Sequence, residues 1–273
     1  MKTWSENGKV RYCRCGGTGF TQTTQNRSAS RPCGFDSHQR HMPRHKLPDI
    51  TFPWTSNLAY ATGLIATDGN LSPDGRHMTV KSVDKQLIQV FKKCLTLKNK
   101  VCKDKTRDCY YLQFGNVQFY RWLRTIGIHP AKSLTISDIN IPDKYFRDFL
   151  RGHLDGDGSI VLYQDLYNLY KGRRYNNLRT YIHFISASES HILWLRNKIT
   201  KLTGISGALI KRESKLKNRA TMWQIKIARH ESMALLKWLY YDIGLPSLIR
   251  KRKVAEKALK LSRNWKRKNY AML

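Results

Sequence analysis

Acidic residues are scarce in this chain. Nineteen Asp and Glu stand against 50 Lys and Arg in 273 residues, giving a formal charge of +31 and a pI near 10.2. Self-repulsion at that density opposes compaction unless the excess faces a polyanion. Long apolar runs are missing too: none approaches the ~20 residues of a membrane span, and the first residues lack the apolar core of a secretory signal. No single amphipathic basic helix stands out, as it would in a peptide lying on a membrane surface. Basic and aromatic side chains are instead interleaved, as at Trp122 and Arg124 or Arg179 and Tyr181. The six cysteines follow no disulfide-framework spacing, which fits a reduced, intracellular setting. Nucleic acid is the polyanion these absences leave, with no membrane partner expected.

Aliphatic residues are absent from one stretch in particular. Between Val10 and Met42 there is no Ile, Leu or Val, so residues 1–41 cannot supply a core. From Leu47 to about Leu261 apolar periodicity persists, and inside it the sequence is duplicated. Leu58 to Gly69 reads LAYATGLIATDG, and Phe149 to Gly158 reads FLRGHLDGDG. Each is an apolar helix with a small residue in mid-course, ending in Asp-Gly. Strand-like sequence follows both. Asn70 to Ser82 is expected as two short strands around Pro73-Asp74-Gly75. Ser159 to Tyr163 and Leu178 to Ile185 are expected to flank a long polar loop around Lys171 to Asn177.

Middle helices are expected over Asp84 to Leu95 and Glu189 to Leu202, with Leu87, Val90 and Cys94 matching Ile192, Leu195 and Ile199. Second hairpins end near Tyr110 to Phe114 and Met222 to Ile227, and each copy closes on a helix and turn (Arg121 to Ile128; Lys237 to Leu245). The expectation is an α+β fold of two pseudo-symmetric αββαββα repeats, 42–140 and 141–262, with two antiparallel sheets and a basic tail over 263–273. Arg250 to Lys268 reads either as a closing helix with a basic face or as a tail that orders on DNA.

Chemistry concentrates at the two Asp-Gly ends. Gly63 and Thr67 lie one helical turn apart, as do Gly152 and Gly156, and small residues at i and i+4 let two helix backbones approach closely. Asp68 and Asp157 then come together, each followed by a Gly suited to the left-handed turn that stops a helix. Two carboxylates at adjacent helix C-termini repel the macrodipoles and one another, and a hard cation relieves both. Oxygen ligands with positions left for water and phosphate favour Mg²⁺ over zinc. A lone helix ending in Asp-Gly is ordinarily only a cap; a pair of them about 90 residues apart in a chain this basic is not.

Thr62-Gly63-Leu64-Ile65-Ala66-Thr67-Asp68-Gly69 and Arg151-Gly152-His153-Leu154-Asp155-Gly156-Asp157-Gly158 resemble the paired signatures of single-chain LAGLIDADG homing endonucleases. The resemblance covers about residues 55–260 and departs from the signature at Thr62, Ala66, Thr67, Arg151 and His153, outside the acidic position. It implies a monomer whose signature helices pack at a pseudo-twofold axis. Asp68 and Asp157, with Gly69 and Gly158, would hold two or more Mg²⁺ ions and cut both strands of double-stranded DNA with short 3′ overhangs. It also implies a basic residue near each centre, at Lys132 and, among crowded neighbours, Lys251. Either lysine read alone is equally a phosphate contact or a solvated charge. Asp155 is expected to be packed or partnered, because Ala66 replaces it in the first copy, and His153 is expected on the outer face of its helix.

Strand alternation divides the remaining candidates. Met78 and Val80 point to the core, leaving His77, Thr79 and Lys81 outward. Tyr111 and Gln113 alternate with Tyr110, Leu112 and Phe114. Arg179, Tyr181 and His183 alternate with Thr180, Ile182 and Phe184, and Gln224 and Lys226 with Trp223, Ile225 and Ile227. In the family such sheets form a saddle in the major groove, where Arg suits guanine, Gln suits adenine and Lys more often holds phosphate. The same scaffold also serves maturases that bind intron RNA, and non-catalytic DNA-binding regulators. Both acids being present argues against the latter. Expected locations are the nucleoid-associated cytoplasm of a prokaryote or phage, or an organelle.

Residues 1–41 admit two accounts. Cys13, Cys15, Cys33, His38 and His41 suggest zinc, at a spacing that matches no common finger. Alternatively, Cys33 to His38 back-translates, with permitted codons, to a tRNA T-arm (GTGGG, TTCGAYT, CCCAC), and Cys13-Arg14-Cys15 and Gln39-Arg40-His41 permit an acceptor stem. On that account Met42 starts the protein, and a chain beginning there is expected to fold and act as the whole does.

Overall fold

The computed structural model describes residues 51–170, 173–214 and 220–270. The zinc and tRNA expectations for residues 1–41 lie outside the described residues. The elements run α1 (Ser56–Asp68), β1 (Gly69–Leu71), β2 (His77–Ser82), α2 (Lys85–Cys94), β3 (Cys102–Lys103), β4 (Tyr110–Gly115), α3 (Val117–Thr125), then α4 (Asp143–Gly156), β5 (Ser159–Tyr170), β6 (Arg173–Ser186), α5 (Glu189–Thr203), β7 (Ala208–Arg212), β8 (Met222–Ala228), α6 (Arg229–Leu239) and a last helix, α7 (Ile249–Tyr270). The two antiparallel sheets have orders β1-β2-β4-β3 and β5-β6-β8-β7, so the second repeats the connectivity of the first. The α+β, twice-αββαββα expectation therefore holds.

Local chemistry starts and stops these elements. Thr55 caps α1 by accepting from Leu58 N at 3.1 Å, and Asn116 caps α3 by accepting from Phe119 N at 2.9 Å, each satisfying a free N–H of a first turn. Gly204 ends α5 at φ +73°, and Gly75 takes φ +74° in the β1–β2 turn, where Asp74 Oδ1 accepts from Arg76 N and His77 N. The long polar loop expected between β5 and β6 is instead a continuation of both strands, paired from Ser159↔His183 to Tyr170↔Arg173 with an irregularity between Asp165 and Asn168. The Tyr residues of this stretch are good strand formers, so polarity alone misjudged it. On α2 the fully buried residues are Leu87, Ile88 and Phe91, while Val90 and Cys94 are half-buried, because the stripe facing the core is rotated by one position.

α1 and α4 stand at the middle of the fold. Every residue of α1 from Leu58 to Ala66 is buried, as befits a helix enclosed by its neighbours on all sides. A Cβ placed on Gly63 would lie 2.2 Å from the Phe149 carbonyl oxygen, and one on Gly152 would lie 2.1 Å from that of Tyr60. The helices cross backbone to backbone at this reciprocal glycine pair. Flanking cores follow strand alternation: Met78, Val80, Leu112 and Phe114 in the first repeat, Ile182, Phe184, Ile225 and Ile227 in the second.

Candidate active site and nucleic-acid interface

Close crossing at Gly63 and Gly152 determines what meets one turn further on. A Cβ on Gly156 would lie 2.0 Å from Thr67 Oγ1 and 2.8 Å from Asp68 Oδ2. The Asp68 carboxylate thus rests against the end of α4, at the residue preceding Asp157. Gly69 and Gly158 do not stop the helices in a left-handed turn: Gly69 is extended at φ −82°, ψ 146°, and Gly158 is not among the positive-φ glycines. They are needed because the chain folds back on the last helical turn, where a Cβ would come within 2.6 Å of Ile65 O or 2.7 Å of Leu154 Cδ1.

Two lysines close the site. Lys132 and Lys251 are only 5% and 6% exposed, deep for groups that ordinarily stay in water. Lys132 donates to the Gly69 carbonyl. Lys251 donates to the carbonyls of Leu154, Asp155 and Gly158 at 2.7, 2.8 and 2.7 Å, offsetting the negative end of the α4 dipole. The carbonyls of Gly69 and Gly158 expected as metal ligands therefore already accept from ammonium groups, and a cation there would have to share their second lone pair.

Asp68 is held well above the usual carboxylate range, first by loss of bulk water and then by Asp157, with Lys251 and Lys132 acting in the opposite direction. Asp157 is raised for the same first reason, although it keeps an open face to solvent. Burial lowers both lysines to about 8, against the pull of the acids. Two repelling oxygen acids with an open face fit a hard cation whose remaining ligands are water and phosphate. Among the described residues no three His, Cys, Asp or Glu side chains converge as a self-sufficient metal cage.

Around this centre the structure supplies partners that sequence did not single out, and Asp155 is packed and partnered as expected. Asp155 is buried, and its Oδ2 accepts from Tyr60 Oη of the other repeat at 2.8 Å and from Leu248 N at 2.7 Å. Arg151 is fully buried and donates to Pro246 O, Leu239 O and Asp148 Oδ1. Both tie down the segment leading to Lys251. His153, expected on an outer face, is instead 1% exposed and stacked on His191 with ring centroids 5.3 Å apart. Helix α4 lies between α1 and the second sheet, so it has no outer face at that position.

The polar strand residues lie apart from the acids, on two sheet faces. Across β2 and β4, Thr79 faces Gln113 and Lys81 faces Tyr111, with His77 in the same row. Lys81 Nζ sits 5.7 Å from the Tyr111 ring centre. In the second sheet Tyr181 and His183 share a face with Lys226, whose Nζ lies 4.3 Å from the Tyr181 ring, and Arg179 extends that row. Gln224 departs from expectation: it is on this face but only 3% exposed, because β8 is an inner strand and Ile185 and Ile210 pair with it on either side.

No family model matches the chain, and no curated protein does. Solved structures do. The LAGLIDADG homing endonuclease I-LtrWI bound to target DNA is similar with TM-score 0.51 and 12% identity, over 79% of this chain and 92% of that one. The LAGLIDADG meganuclease I-AabMI bound to uncleaved DNA gives 0.54 and 11%, over 77% and 91%. The meganuclease I-SmaMI on uncleavable DNA gives 0.52 and 11%, over 78% and 91%. The chain has the LAGLIDADG fold.

Proposed function

We propose that this chain, built on the LAGLIDADG fold, is a site-specific DNA endonuclease that makes metal-dependent double-strand breaks. One observation carries the proposal: the reciprocal glycine contact brings Asp68 against the end of α4 that bears Asp157, with two buried lysines beside them. Asp68 and Asp157 would hold Mg²⁺. A bound divalent ion supplies Lewis-acid charge to the reacting phosphodiester and to the attacking water. The chain's own part is positional and electrostatic. With a divalent ion bound, Asp68 would lose its proton, so that both carboxylates would carry negative charge as the ion's ligands. Lys132 Nζ and Lys251 Nζ would place positive charge beside the reacting phosphate. The three N–H groups of Lys251 are taken by carbonyls, so Lys132, which holds one carbonyl, is the lysine with donors left to orient water or meet the departing oxygen.

The rows His77, Thr79, Lys81, Tyr111, Gln113 and Arg179, Tyr181, His183, Lys226 would lie in the major groove, one row on each half-site, and the +31 charge would hold the phosphates. A pseudo-twofold chain matches the twofold symmetry of a duplex backbone.

Selection from a randomised duplex library tests this: bound sequences are recovered in Ca²⁺ and cleaved sequences in Mg²⁺. Asp68→Asn and Asp157→Asn are each expected to abolish cleavage while leaving binding in Ca²⁺ within a few-fold of wild type. Full cleavage by either variant, or none by wild type, would overturn the proposal.

A further inference from the structure

Lys132 sits on the irregular segment that follows the first repeat and Lys251 in the first turn of α7, so what packs against those two segments decides where each ammonium lies. The contacts cross between repeats. Ser247, Ile249 and Arg250 flank Lys251 and reach the start of α2 in the first repeat. Gln86 Nε2 donates to Ser247 O at 3.0 Å, and Ile249 N donates to Gln86 Oε1 at 3.1 Å. Arg250 Nε donates to Asp84 Oδ1 at 3.2 Å and Oδ2 at 3.0 Å, and Nη2 donates to Oδ2 at 2.8 Å. Asp84 is the N-cap of α2 yet makes no capping bond with its side chain. Its carboxylate is diverted from the helix to Arg250.

Lys132 shows the reciprocal arrangement. Its carbonyl accepts from Ile136 N at 2.8 Å, and Ile136 O in turn accepts from Ser188 Oγ and, at 3.2 Å, from Ser190 Oγ. His191 Nδ1 donates to Ser137 O at 2.8 Å. Ser188 and Ser190 stand at the N-cap and two residues beyond it on α5, the same two helix positions that Asp84 and Gln86 occupy on α2. The chemistry differs between the repeats, while the geometric solution is the same.

We propose that each repeat positions the other's active-site lysine: Asp84 and Gln86 hold Lys251, and Ser188, Ser190 and His191 hold Lys132. These are positioning residues, because they act through the backbone of the lysine segments. The proposal rests on the endonuclease reading for the lysines' purpose but not for their placement. Placement matters because a displacement of about 1 Å in a catalytic group can cost on the order of a hundred-fold in rate.

The test reads placement without activity. Trace reductive methylation of the whole chain, quantified by mass spectrometry, reports how accessible each lysine amine is. In wild type Lys132 and Lys251 should label far more slowly than exposed Lys100. Gln86→Met keeps the bulk and removes both hydrogen bonds. It should raise labelling of Lys251 roughly ten-fold and leave Lys132 unchanged. Ser188→Gly with Ser190→Ala should do the reverse, Gly being tolerated at an N-cap. Gln86→Ala serves as a second variant should Gln86→Met misfold. Equal labelling changes at both lysines, or none at either, would overturn the proposal.

On any duplex the wild type cuts, Gln86→Met should lower kcat roughly ten-fold with KM within about two-fold. Unchanged kcat would also count against the proposal. If wild type cuts nothing, the endonuclease reading fails while the labelling still decides the latch.

Discussion

Replacing Gly152 by Ala probes the contact on which the site depends. The added Cβ would sit 2.1 Å from Tyr60 O and 3.3 Å from Gly63 Cα. An ordinary carbon–oxygen contact needs about 3.3 Å, so the helices must part by roughly 1 Å. The obstacle is backbone, and no rotamer relieves it. Overpacking of this kind costs ~1–3 kcal/mol, and a rigid obstacle belongs at the upper end. Better helix propensity for Ala over Gly offsets ~1 kcal/mol. The net loss is about 2 kcal/mol, or a Tm lower by about 4–8 °C for a folded region of this size.

Cleavage should suffer more than stability. A separation of α1 from α4 carries Asp68 away from Asp157, and misplacement by about 1 Å costs on the order of a hundred-fold. Calorimetry and cleavage of a selected duplex measure the two effects. Gly75→Ala is the control: its position has φ +74° and open space around the missing Cβ. It should cost ~1 kcal/mol through backbone strain and leave cleavage unchanged. A Gly152→Ala protein with wild-type Tm and wild-type cleavage would refute the close-helix reasoning.

Two further outcomes are expected. Asp68 is raised above its ordinary value of 3.8, so the folded chain keeps a proton that the unfolded chain releases. The stability this contributes is complete below about pH 4 and is lost as pH climbs through the raised value. Without metal, Asp68→Asn and wild type should therefore melt alike at acid pH, and the variant should melt higher at pH 8. Mg²⁺ should shrink or reverse that gap, whereas a gap independent of pH would show that Asp68 is not repelled in the fold. DNA affinity should fall by about a thousand-fold or more between roughly 50 and 200 mM salt if six or more phosphates are contacted. A flat response would mean that the +31 charge serves some other purpose.

The duplication, the two helices ending in Asp-Gly, and the alternation that turns Met78 and Val80 inward and Thr79 and Lys81 outward were all legible in the sequence. Each is a short-range pattern, set by residues within one helical turn or by the two-residue period of a strand. The small residues at 63, 152 and 156 even announced that two backbones would approach. Other features depend on what packs against an element, which no local pattern encodes. His153 looked external because a helix enclosed on all sides has no polar face to betray its burial. Gln224 obeyed the alternation and is still covered by its neighbours Ile185 and Ile210. Gly69 and Gly158 are required by the fold-back onto the last helical turn rather than by positive φ.

Lys251 was one of several basic residues in a row until its ammonium was found on the carbonyls at the end of α4. Gln86 meets Ser247 across 161 residues of chain, and Tyr60 meets Asp155 across 95. Sequence determined most of the elements and the candidate reacting groups, because helix and strand periodicity and charge are local properties. Tertiary structure alone decided which carbonyl each lysine holds and which repeat holds each lysine. Such pairings are settled by packing in three dimensions between segments that share no sequence neighbourhood.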